Sequence, residues 1–447
     1  NWAYDPSDVG FTVIPKFDRF VFNPKLFLYL SENTDFSFGI NSMIENRLGG
    51  DMKYVEGKGD EEHSYFERNK TQRHSSQLTF EHRFDNQNRL NVKNSITYFS
   101  RKIEIPDFEF DGNQLSSFSE VSYIHTKEKT EWVTGANVWT DKFTEKKLTD
   151  FPVRDYNMTT FGLFVQNNTK ITDWMNLETG LRTDYITDYG FAVLPRISSH
   201  FKITEKFSSR IGGGFGYKAP TIFSEDSERI QFQNVLPIDD DINKLERSYG
   251  ANVDFTYKTG LFNDQVFLSI NQLFFYTYLK NPLELQSADN NRWQFNNIDG
   301  HVDSKGAETN MKIKYKDFGL FVGYTYTDAN VKEDGRSYRK TLTPKHKVNS
   351  VLMYEVEDKW KIGLEAYYTG KQKLNDGRTG KDYLICGLMM QRIWEKFSIY
   401  ANFENFTDRR QTRFDTIHTG SMTNPEFRDI YAPLDGFVLN TGIIIKL

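Results

Sequence analysis

The residue types that most often support catalysis or metal binding occur in this chain, but their spacing forms no familiar reactive arrangement. Residues 212–216 read Gly-Gly-Gly-Phe-Gly inside a strand-like segment, not between a strand and a helix, so they do not form a phosphate-binding loop. His74 and His82 could share a strand face, but eight residues of strand separate them by roughly 26 Å. We therefore predict no enzyme activity, no cofactor and no metal site built by the protein.

Charged residues between Trp174 and Phe223 recur at alternate positions, which is the spacing of one face of a β-strand. Arg182 and Asp184, for example, alternate with Leu181 and Tyr185. An arginine facing lipid at the bilayer centre would cost about 2–4 kcal/mol, so this face must meet water, a lumen or another polar surface. The charges assigned to a lumen are Glu178, Arg182, Asp184, Arg196, His200 and Arg210.

The composition narrows the class of protein. The 447 residues have a mean hydropathy of -0.63 and contain no run of 18 apolar residues, so no transmembrane helix is expected. Membrane β-barrels escape this test because only alternate residues are apolar, and 38 Phe and 24 Tyr against 12 Pro suit strands. The net charge of -5 argues against a nucleic-acid partner. Cys386 is the single cysteine, so no intrachain disulfide can form.

Short and long connectors alternate along the chain. Strand-like segments of about 9–13 residues lie between about residues 19 and 406, and polar turns such as 85–89 and 172–174 join every second pair. Because an antiparallel meander places alternate connectors at opposite ends, this pattern predicts a transmembrane antiparallel β-barrel. The predicted long connectors cover approximately 47–75, 101–115, 141–157, 218–245, 279–304, 328–346, 371–382 and 408–436.

The strand count predicts an incomplete barrel. About nineteen strands are visible, the last at residues 437–447, whereas single-chain bacterial barrels have an even number. The first and last visible strands both run toward the short-turn end, so we expect that strands are missing at the N-terminus. The last strand alternates apolar and polar residues like the terminal strand of an outer-membrane barrel, but it ends in Leu447 where such strands usually end in Phe.

Several segments resemble the barrel region of TonB-dependent outer-membrane receptors. Residues 212–223 (GGGFGYKAPTIF) are similar to the G-F-R-A-P-T segment of that family, with Tyr217 and Lys218 at its arginine position. Residues 194–201 (LPRISSHF) look like the L-P-R strand that precedes it, and residues 244–257 resemble the E-x-S strand that follows. Further similar pieces are 306–308, 342–349 and 405–410. Residues 1–160 fit the family by pattern only.

The resemblance implies an all-β fold of the 22-stranded TonB-dependent receptor type. Residues 1–447 would form the barrel domain, with about nineteen strands visible. The N-terminal plug domain, the segment that contacts TonB and the first strands would be missing from this chain. Either the chain is a fragment or the plug is supplied separately, and a fragment is the preferred interpretation.

Receptors of this family bind a scarce ligand outside the cell and import it with energy relayed by TonB. The resemblance therefore implies an integral, multi-pass protein in the outer membrane of a Gram-negative bacterium. Its partners would be the TonB complex, a small-molecule ligand and the lipid bilayer. A ferric siderophore or similar iron chelate is the preferred ligand, and cobalamin, haem, glycans and peptides are alternatives.

Ligand contacts in such a receptor should come from the long loops and the outer rim, where aromatic and cationic side chains occur together. The predicted ligand-binding residues are Tyr65, Arg73 and His74 in one loop, Phe223 and Phe232 in another, then Arg292 and Trp293, and finally Arg336, Tyr338 and Arg339. Cations among them would suit an anionic chelate through charge-assisted hydrogen bonds. The lumen charges are expected to pair across the wall or to hold a plug.

Two other classes of protein fit part of the pattern. A passive diffusion channel would need no plug, but such barrels usually have 16–18 strands. A soluble or cell-surface β-rich adhesin would also contain many strands, but its connector lengths would not segregate to two ends.

Overall fold

The computed structural model describes residues 1–446, which form an almost entirely β structure. The first strands are β1 (Lys16–Phe22), β2 (Lys25–Ser31), β3 (Thr34–Gly50), β4 (Phe66–Arg83), β5 (Asn88–Ile105), β6 (Phe108–Lys127), β7 (Thr130–Glu145), β8 (Tyr156–Thr172) and β9 (Met175–Ile186). They continue with β10 (Gly190–Lys202), β11 (Phe207–Lys218), β12 (Glu246–Leu261), β13 (Val266–Lys280), β14 (Leu283–Ala288), β15 (Arg292–Asn297), β16 (Gly300–Tyr315), β17 (Phe318–Glu333) and β18 (Arg336–Arg339). The last are β19 (His346–Val356), β20 (Trp360–Thr369), β21 (Gln372–Lys373), β22 (Thr379–Gly380), β23 (Tyr383–Ile393), β24 (Phe397–Glu404), β25 (His418–Gly420), β26 (Pro425–Phe427) and β27 (Val438–Ile445).

Helical structure is confined to the connections between strands. The short helices are α1 (Met52–Val55) and α2 (Glu225–Arg229), with one 3₁₀ turn at Gln411–Arg413. Within residues 1–446, no helix has the length and apolar character required to cross a bilayer.

One antiparallel sheet of 21 strand segments accounts for most of the chain. Strands adjacent in sequence are adjacent in the sheet, apart from the small hairpins inserted between them. Segments β1 and β2 both pair with β3, and β18 and β19 both pair with β17, so each pair is one interrupted strand. The 21 segments therefore occupy 19 positions, which confirms the predicted count of about nineteen. Leu447, predicted to end the last strand, lies outside the described residues.

The pairing register separates an apolar face from a polar face. Leu181 lies opposite Val165 on β8 and Pro195 on β10, and its side chain is exposed. Asp184, three residues later on the other face, lies opposite Gly162 and is buried. The connection between β11 and β12, residues 219–245, packs against Phe143, which lies on the same face as Asp184, so this polar face is the inner one. The exposed apolar face is the outer one, as expected where a sheet meets lipid.

The strands near the long-connector end extend further than predicted. Residues 101–115 were expected to form an irregular connector, and this prediction is wrong: β5 and β6 continue through them, leaving only a two-residue turn between Ile105 and Phe108. The predicted connector 47–75 likewise shortens, since β3 runs to Gly50 and β4 begins at Phe66. On β3 and β4 these extensions are mostly polar. On β5 and β6 the alternation inverts, with Ile103, Ile105 and Phe110 facing inward and Lys102 and Glu104 facing outward, although the backbone pairing continues.

Other predicted long connectors contain regular structure of their own. The hairpin of β14 and β15 lies within 279–304, and β18 lies within 328–346. The pair β21 and β22 lies within 371–382, and β25 and β26 lie within 408–436. Each is stabilised by local cross-strand pairing, which extends the wall at the long-connector end without adding a position to the main sheet.

The edges of the main sheet meet through side chains at the long-connector end. The free edges of β1/β2 and of β27 have no β-sheet partner within residues 1–446. Phe11 is buried, and its ring centroid lies 4.8 Å from that of His418 and 5.4 Å from that of Phe427. It also packs edge-on against Tyr65, which follows β3. These four residues, which we call the rim clasp, join the segment before β1 to the connection before β27.

Candidate ligand-binding mouth

The connection between β11 and β12, residues 219–245, folds into the barrel mouth. We call it the inner loop. Its residues Ile222, Phe232 and Val235 are fully buried. The rings of Phe232 and Phe110 stack with their centroids 4.5 Å apart. The inward-facing strand residues that form this apolar cluster with the inner loop are Ile103, Ile105, Phe110 and Phe143.

Helix α2 gives the inner loop a defined shape. The Ser224 hydroxyl accepts the Ser227 backbone N–H at 3.3 Å, and acidic residues in the first turn favour the positive end of the helix dipole. After the helix, Gln231 and Phe232 adopt positive φ angles of 54° and 61°. Such conformations cost about 1–3 kcal/mol each for residues other than glycine. The burial of the Phe232 ring offsets this cost.

Three polar attachments fasten the inner loop to the barrel wall. Arg101 Nη1 donates to both carboxylate oxygens of Glu228, at 2.7 and 2.8 Å. Gln231 Nε2 donates to Glu67 Oε2 at 2.6 Å. The Arg154 guanidinium donates to a backbone carbonyl of the inner loop at 2.5 Å. The inner loop is therefore held over the inner faces of β4 and β5 and against the connection after β7.

A cationic and aromatic patch lies on the inner wall beside these attachments. Arg73 on β4 lies directly opposite Phe99 on β5, and its guanidinium carbon is 5.1 Å from the ring centroid. Arg101 follows Phe99 by two residues, so it shares the inner face and is a diagonal neighbour of Arg73, with Cα atoms about 7–8 Å apart. We call these three residues the arginine patch. Its paired cations and aromatic surface suit an anionic, partly aromatic ligand.

A polar network continues the inner wall across β6 to β8. Asp141 is buried and accepts hydrogen bonds from Gln114 at 2.8 Å, Ser116 at 2.8 Å and Tyr156 at 3.2 Å. Trp139 lies on the same face, two residues closer to the short-turn end, and about half of its surface is exposed. This exposed indole gives the inner wall an aromatic surface with a single N–H donor.

A second network surrounds Gly162 on β8. Arg182 Nε donates to Asp184 at 2.9 Å, and Arg182 Nη2 donates to Asn137 Oδ1 at 3.1 Å. The Tyr217 hydroxyl donates to Asp184 at 2.9 Å. A Cβ atom at Gly162 would lie 2.6 Å from atoms of all three of Arg182, Asn137 and Asp184, so these side chains would have to shift if another residue stood at this position.

A recess of about 670 Å³ lies deeper in the inner wall, toward the short-turn end. Arg196 Nη2 lies 3.7 Å from Glu178 Oε1 within it, and the Arg196 side chain is 70% exposed. His200 and Arg210 face each other across β10 and β11. The six charges assigned from the sequence to a lumen, Glu178, Arg182, Asp184, Arg196, His200 and Arg210, all lie on the inner face. Two ion pairs form among them, and the rest line the recess.

The structure separates the first group of predicted ligand-binding residues. The prediction that Tyr65, Arg73 and His74 share one loop is wrong, because β4 begins at Phe66 and contains both Arg73 and His74. Arg73 faces inward, while His74 faces outward and lies 2.9 Å from Ser42 Oγ. Tyr65 is buried in the rim clasp. Only Arg73 of this group therefore faces the lumen.

The remaining predicted residues all lie at the long-connector end, but their exposure differs. Phe232 is fully buried and Phe223 packs beside it with ring centroids 5.8 Å apart, so both act in packing the inner loop. Trp293, next to Arg292 on β15, packs against the same apolar cluster. Arg336, Tyr338 and Arg339 form β18 in an extended hairpin rather than an irregular loop.

Tyr338 and its neighbours form a separate polar group at the outer rim. The Tyr338 hydroxyl donates to Glu333 at 3.2 Å. Partial burial and the nearby carboxylates of Glu284 and Glu333 raise the pKa of Tyr338 to about 12. The phenol is therefore protonated at neutral pH and can act as a donor.

Sequence analysis missed several inner-wall residues that the structure brings together. They are Phe99, Arg101, Gln114, Trp139 and Asp141 on the wall, with Glu228 of the inner loop beside Arg101. Arg101 and Gln114 lay within a predicted loop, so no inward face was assigned to them. The available signal was strand parity: residues that alternate with the outward apolar series of β5 and β6 face inward, and the same parity continues where the hydropathy pattern inverts.

The chain matches the family described as TonB dependent receptor-like, beta-barrel, over residues 13–406. This range covers most of the chain. The chain belongs to the TonB-dependent receptor β-barrel family. Members of this family are transport receptors and not enzymes, so the absence of catalysis agrees with the expectation from the sequence. Comparison with curated protein sequences gives no match.

Solved TonB-dependent receptors share the fold at low sequence identity. The siderophore receptor PirA from Pseudomonas aeruginosa is 15% identical, with a TM-score of 0.66 over 88% of this chain and 68% of that one. A mutant of the ferric enterobactin receptor PfeA from Pseudomonas aeruginosa is 15% identical, with a TM-score of 0.69 over 95% and 70%. The copper transporter OprC is 12% identical, with a TM-score of 0.74 over 99% and 73%. At these identities the likeness concerns the fold alone.

Proposed function

We propose that this TonB-dependent receptor barrel lies in the outer membrane of a Gram-negative bacterium and imports a small anionic metal chelate, preferably a ferric siderophore. The observation that carries the proposal is the arginine patch beneath the inner loop, where Arg73, Phe99 and Arg101 face the lumen at the mouth. Guanidinium groups form strong charge-assisted hydrogen bonds with anionic oxygens, and an aromatic face supports the chelator rings.

The structural neighbours support a metal-bound cargo without identifying it. Two of the neighbours described above are a siderophore receptor and a ferric enterobactin receptor. A third is a copper transporter, so a metal other than iron is an alternative cargo for this chain. An oxygen-rich ferric chelate suits the arginine patch better, because arginine binds anionic oxygen and does not ligate metal ions.

The lumen charges suit a partner inside the barrel. We propose that a plug domain contacts the inner wall at the exposed cations of the recess, including Arg196 and Arg210, and that the TonB complex acts on this plug to drive import. The ion pairs Arg182–Asp184 and Glu178–Arg196 would then stabilise the wall and fix the positions of its charges.

A passive channel is a second candidate because the recess and Arg196 are exposed to the lumen. The two functions differ in their energy requirement. Cells that carry the full-length receptor should accumulate a radiolabelled iron(III) tris-catecholate chelate, and deletion of TonB should abolish this uptake. Uptake that persists without TonB, together with constitutive ion conductance in planar bilayers, would favour the channel.

The arginine patch can be tested with two adjacent substitutions. Arg73→Gln removes an inward-facing cation and should weaken chelate binding by roughly 10–100-fold, since a hydrogen bond to a charged group contributes about 1.5–3 kcal/mol. His74→Gln alters the next residue on the outward face and should leave binding unchanged. Equilibrium titration of the purified receptor with the iron(III) tris-catecholate chelate measures both, and equal effects of the two substitutions would contradict the assignment.

A further inference from the structure

We propose that Glu228 of the inner loop occupies an anion-binding site formed by Arg73 and Arg101, and that an anionic ligand competes with this carboxylate. The inference rests on the proposed function and adds a means of regulating the same site. In the absence of ligand, the Glu228 carboxylate occupies the position that an anionic group of the ligand would take.

The two arginines of the patch have different partners. Arg101 is engaged by both oxygens of Glu228, at 2.7 and 2.8 Å. Arg73 lies over the Phe99 ring and makes no ion pair with any carboxylate of residues 1–446. One cation of the pair is therefore covered by the inner loop, while its diagonal neighbour is exposed to the lumen.

The contact between Arg101 and Glu228 has the properties of a replaceable interaction. The side chains are 21% and 38% exposed, so water can solvate both groups when they separate. Ion pairs with this degree of solvent access contribute little net stability. The inner loop keeps its buried Phe232 and its hydrogen bond to Glu67 when Glu228 leaves. Exchange of the carboxylate therefore does not require the loop to unfold.

The geometry also indicates the chemical class of the competing ligand. Arg101 already binds a carboxylate through two oxygens, so a ligand that replaces Glu228 must offer at least one anionic oxygen group. A second anionic group on the same ligand could reach Arg73, which Glu228 leaves unneutralised. A polyanionic chelate can therefore bind both cations, whereas Glu228 binds one. Because the chelate contacts both cations, it binds the site more strongly than Glu228 and displaces this carboxylate.

Two substitutions in α2 separate this idea from a general effect of charge. Glu228→Gln removes the internal carboxylate and should tighten binding of the iron(III) tris-catecholate chelate by roughly 3–10-fold, because the site is no longer partly occupied. Asp226→Asn removes the same charge from the same helix, but Asp226 contacts Arg229 at 3.9 Å and not the arginine patch. Asp226→Asn should leave the affinity unchanged.

The full-length receptor, purified from outer membranes, is titrated with this chelate as wild type, E228Q, D226N and R101Q. The proposal expects tighter binding by E228Q than by D226N, and at least roughly tenfold weaker binding by R101Q. Equal affinities of E228Q and D226N, or no binding by E228Q, would overturn it.

The ¹³C resonance of the Glu228 carboxylate in the wild-type receptor provides a second measurement that does not depend on any variant folding. Saturation with the chelate should shift this resonance, since the carboxylate loses its contact with Arg101, and an unchanged resonance would contradict the proposal. TonB-dependent uptake by cells is measured separately. If uptake depends on TonB but E228Q does not bind the chelate more tightly, only the proposed competition by Glu228 is wrong. If the receptor binds the chelate but uptake does not depend on TonB, the proposed import is wrong.

Discussion

At the scale of single residues, small and charged side chains decide which groups reach the lumen. The network of Asn137, Arg182 and Asp184 closes over Gly162 because glycine leaves the space that these polar atoms fill. The arginine patch depends on strand parity, which turns Arg73 inward and His74 outward. A change of one side chain can therefore alter the inner wall without altering the sheet.

Gly162→Ala tests this dependence on space. The added Cβ would lie 2.6 Å from three polar side chains, so we expect the barrel to lose about 1–3 kcal/mol of stability through overpacking. Gly180→Ala on the adjacent strand β9 is the control, because its Cβ would have no neighbour closer than 3.8 Å. Urea unfolding in lipid vesicles gives the free energies, and equal losses at the two positions would contradict the packing argument.

Glu284 offers a test of pH dependence at the outer rim. Burial raises the pKa of its carboxyl above the ordinary value of 4.5, and Lys340 opposes this shift. The folded state thus favours the protonated form. The resulting stability of the β14–β15 hairpin is present below the unfolded pKa and is lost as the pH rises through the folded pKa.

The test of this prediction is a ¹³C NMR titration of the Glu284 carboxyl in the intact receptor. The midpoint should lie above 4.5, and Lys340→Met should raise it further because the opposing positive charge is lost. Glu284→Gln should stabilise the hairpin at neutral pH and have little effect at low pH. A midpoint that Lys340→Met lowers would show that the assigned charge interaction is wrong.

At the scale of elements, the inner loop combines an apolar anchor with polar attachments. Phe232 fills a pocket between Phe110 and Phe223, and helix α2 presents Glu228 to Arg101. The loop is thereby positioned against the strands that carry the arginine patch. It covers part of the inner face of these strands.

Phe232→Ala should detach the inner loop from the wall. Removing a fully buried phenylalanine costs about 3–5 kcal/mol, so amides of residues 219–245 should exchange faster by a large factor. Ile242→Ala in the same loop is the control, since the Ile242 side chain is half exposed. Native-state hydrogen exchange measures both, and slow exchange in Phe232→Ala would show that the polar attachments hold the loop alone.

At the scale of the whole molecule, the sheet edges are joined by the rim clasp at the long-connector end. Phe11 brings together Tyr65, His418 and Phe427, which are far apart in sequence. Within residues 1–446 no β-pairing joins β27 to β1/β2. The clasp therefore supplies a long-range contact that limits how far these edges separate at the mouth.

Phe11→Ala should weaken this contact. The Phe11 side chain is 3% exposed, and its loss should cost about 3–5 kcal/mol locally. In SDS gels a folded barrel migrates as a compact species, and heating converts it to the slower or faster band of the unfolded chain. The temperature of this conversion should fall. Trp2→Ala, which alters an aromatic residue 88% exposed in the same segment, should leave this temperature unchanged. A similar fall for both variants would argue against a specific role of the clasp.

The sequence by itself determined the class of fold, the number of strands and the family. Period-two alternation reports which residues face lipid, as for Leu181 and Tyr185, because the bilayer imposes a strong and local preference on every second residue. Residues 194–223 carried the family resemblance for the same reason: the segment is local in sequence. The period-two alternation also placed Glu178, Arg182 and Arg196 on one face.

The tertiary structure alone decided the composition of the mouth. Glu228 meets Arg101, and Phe11 meets Phe427, only because the sheet curves and brings distant connections together. At the mouth the alternation on β5 and β6 inverts, because Ile103, Ile105 and Phe110 face inward and pack against Phe232 of the inner loop. A contact with a segment so distant in sequence leaves no local signal, so the sequence predicts residues 101–115 as a loop and Phe232 as a ligand contact.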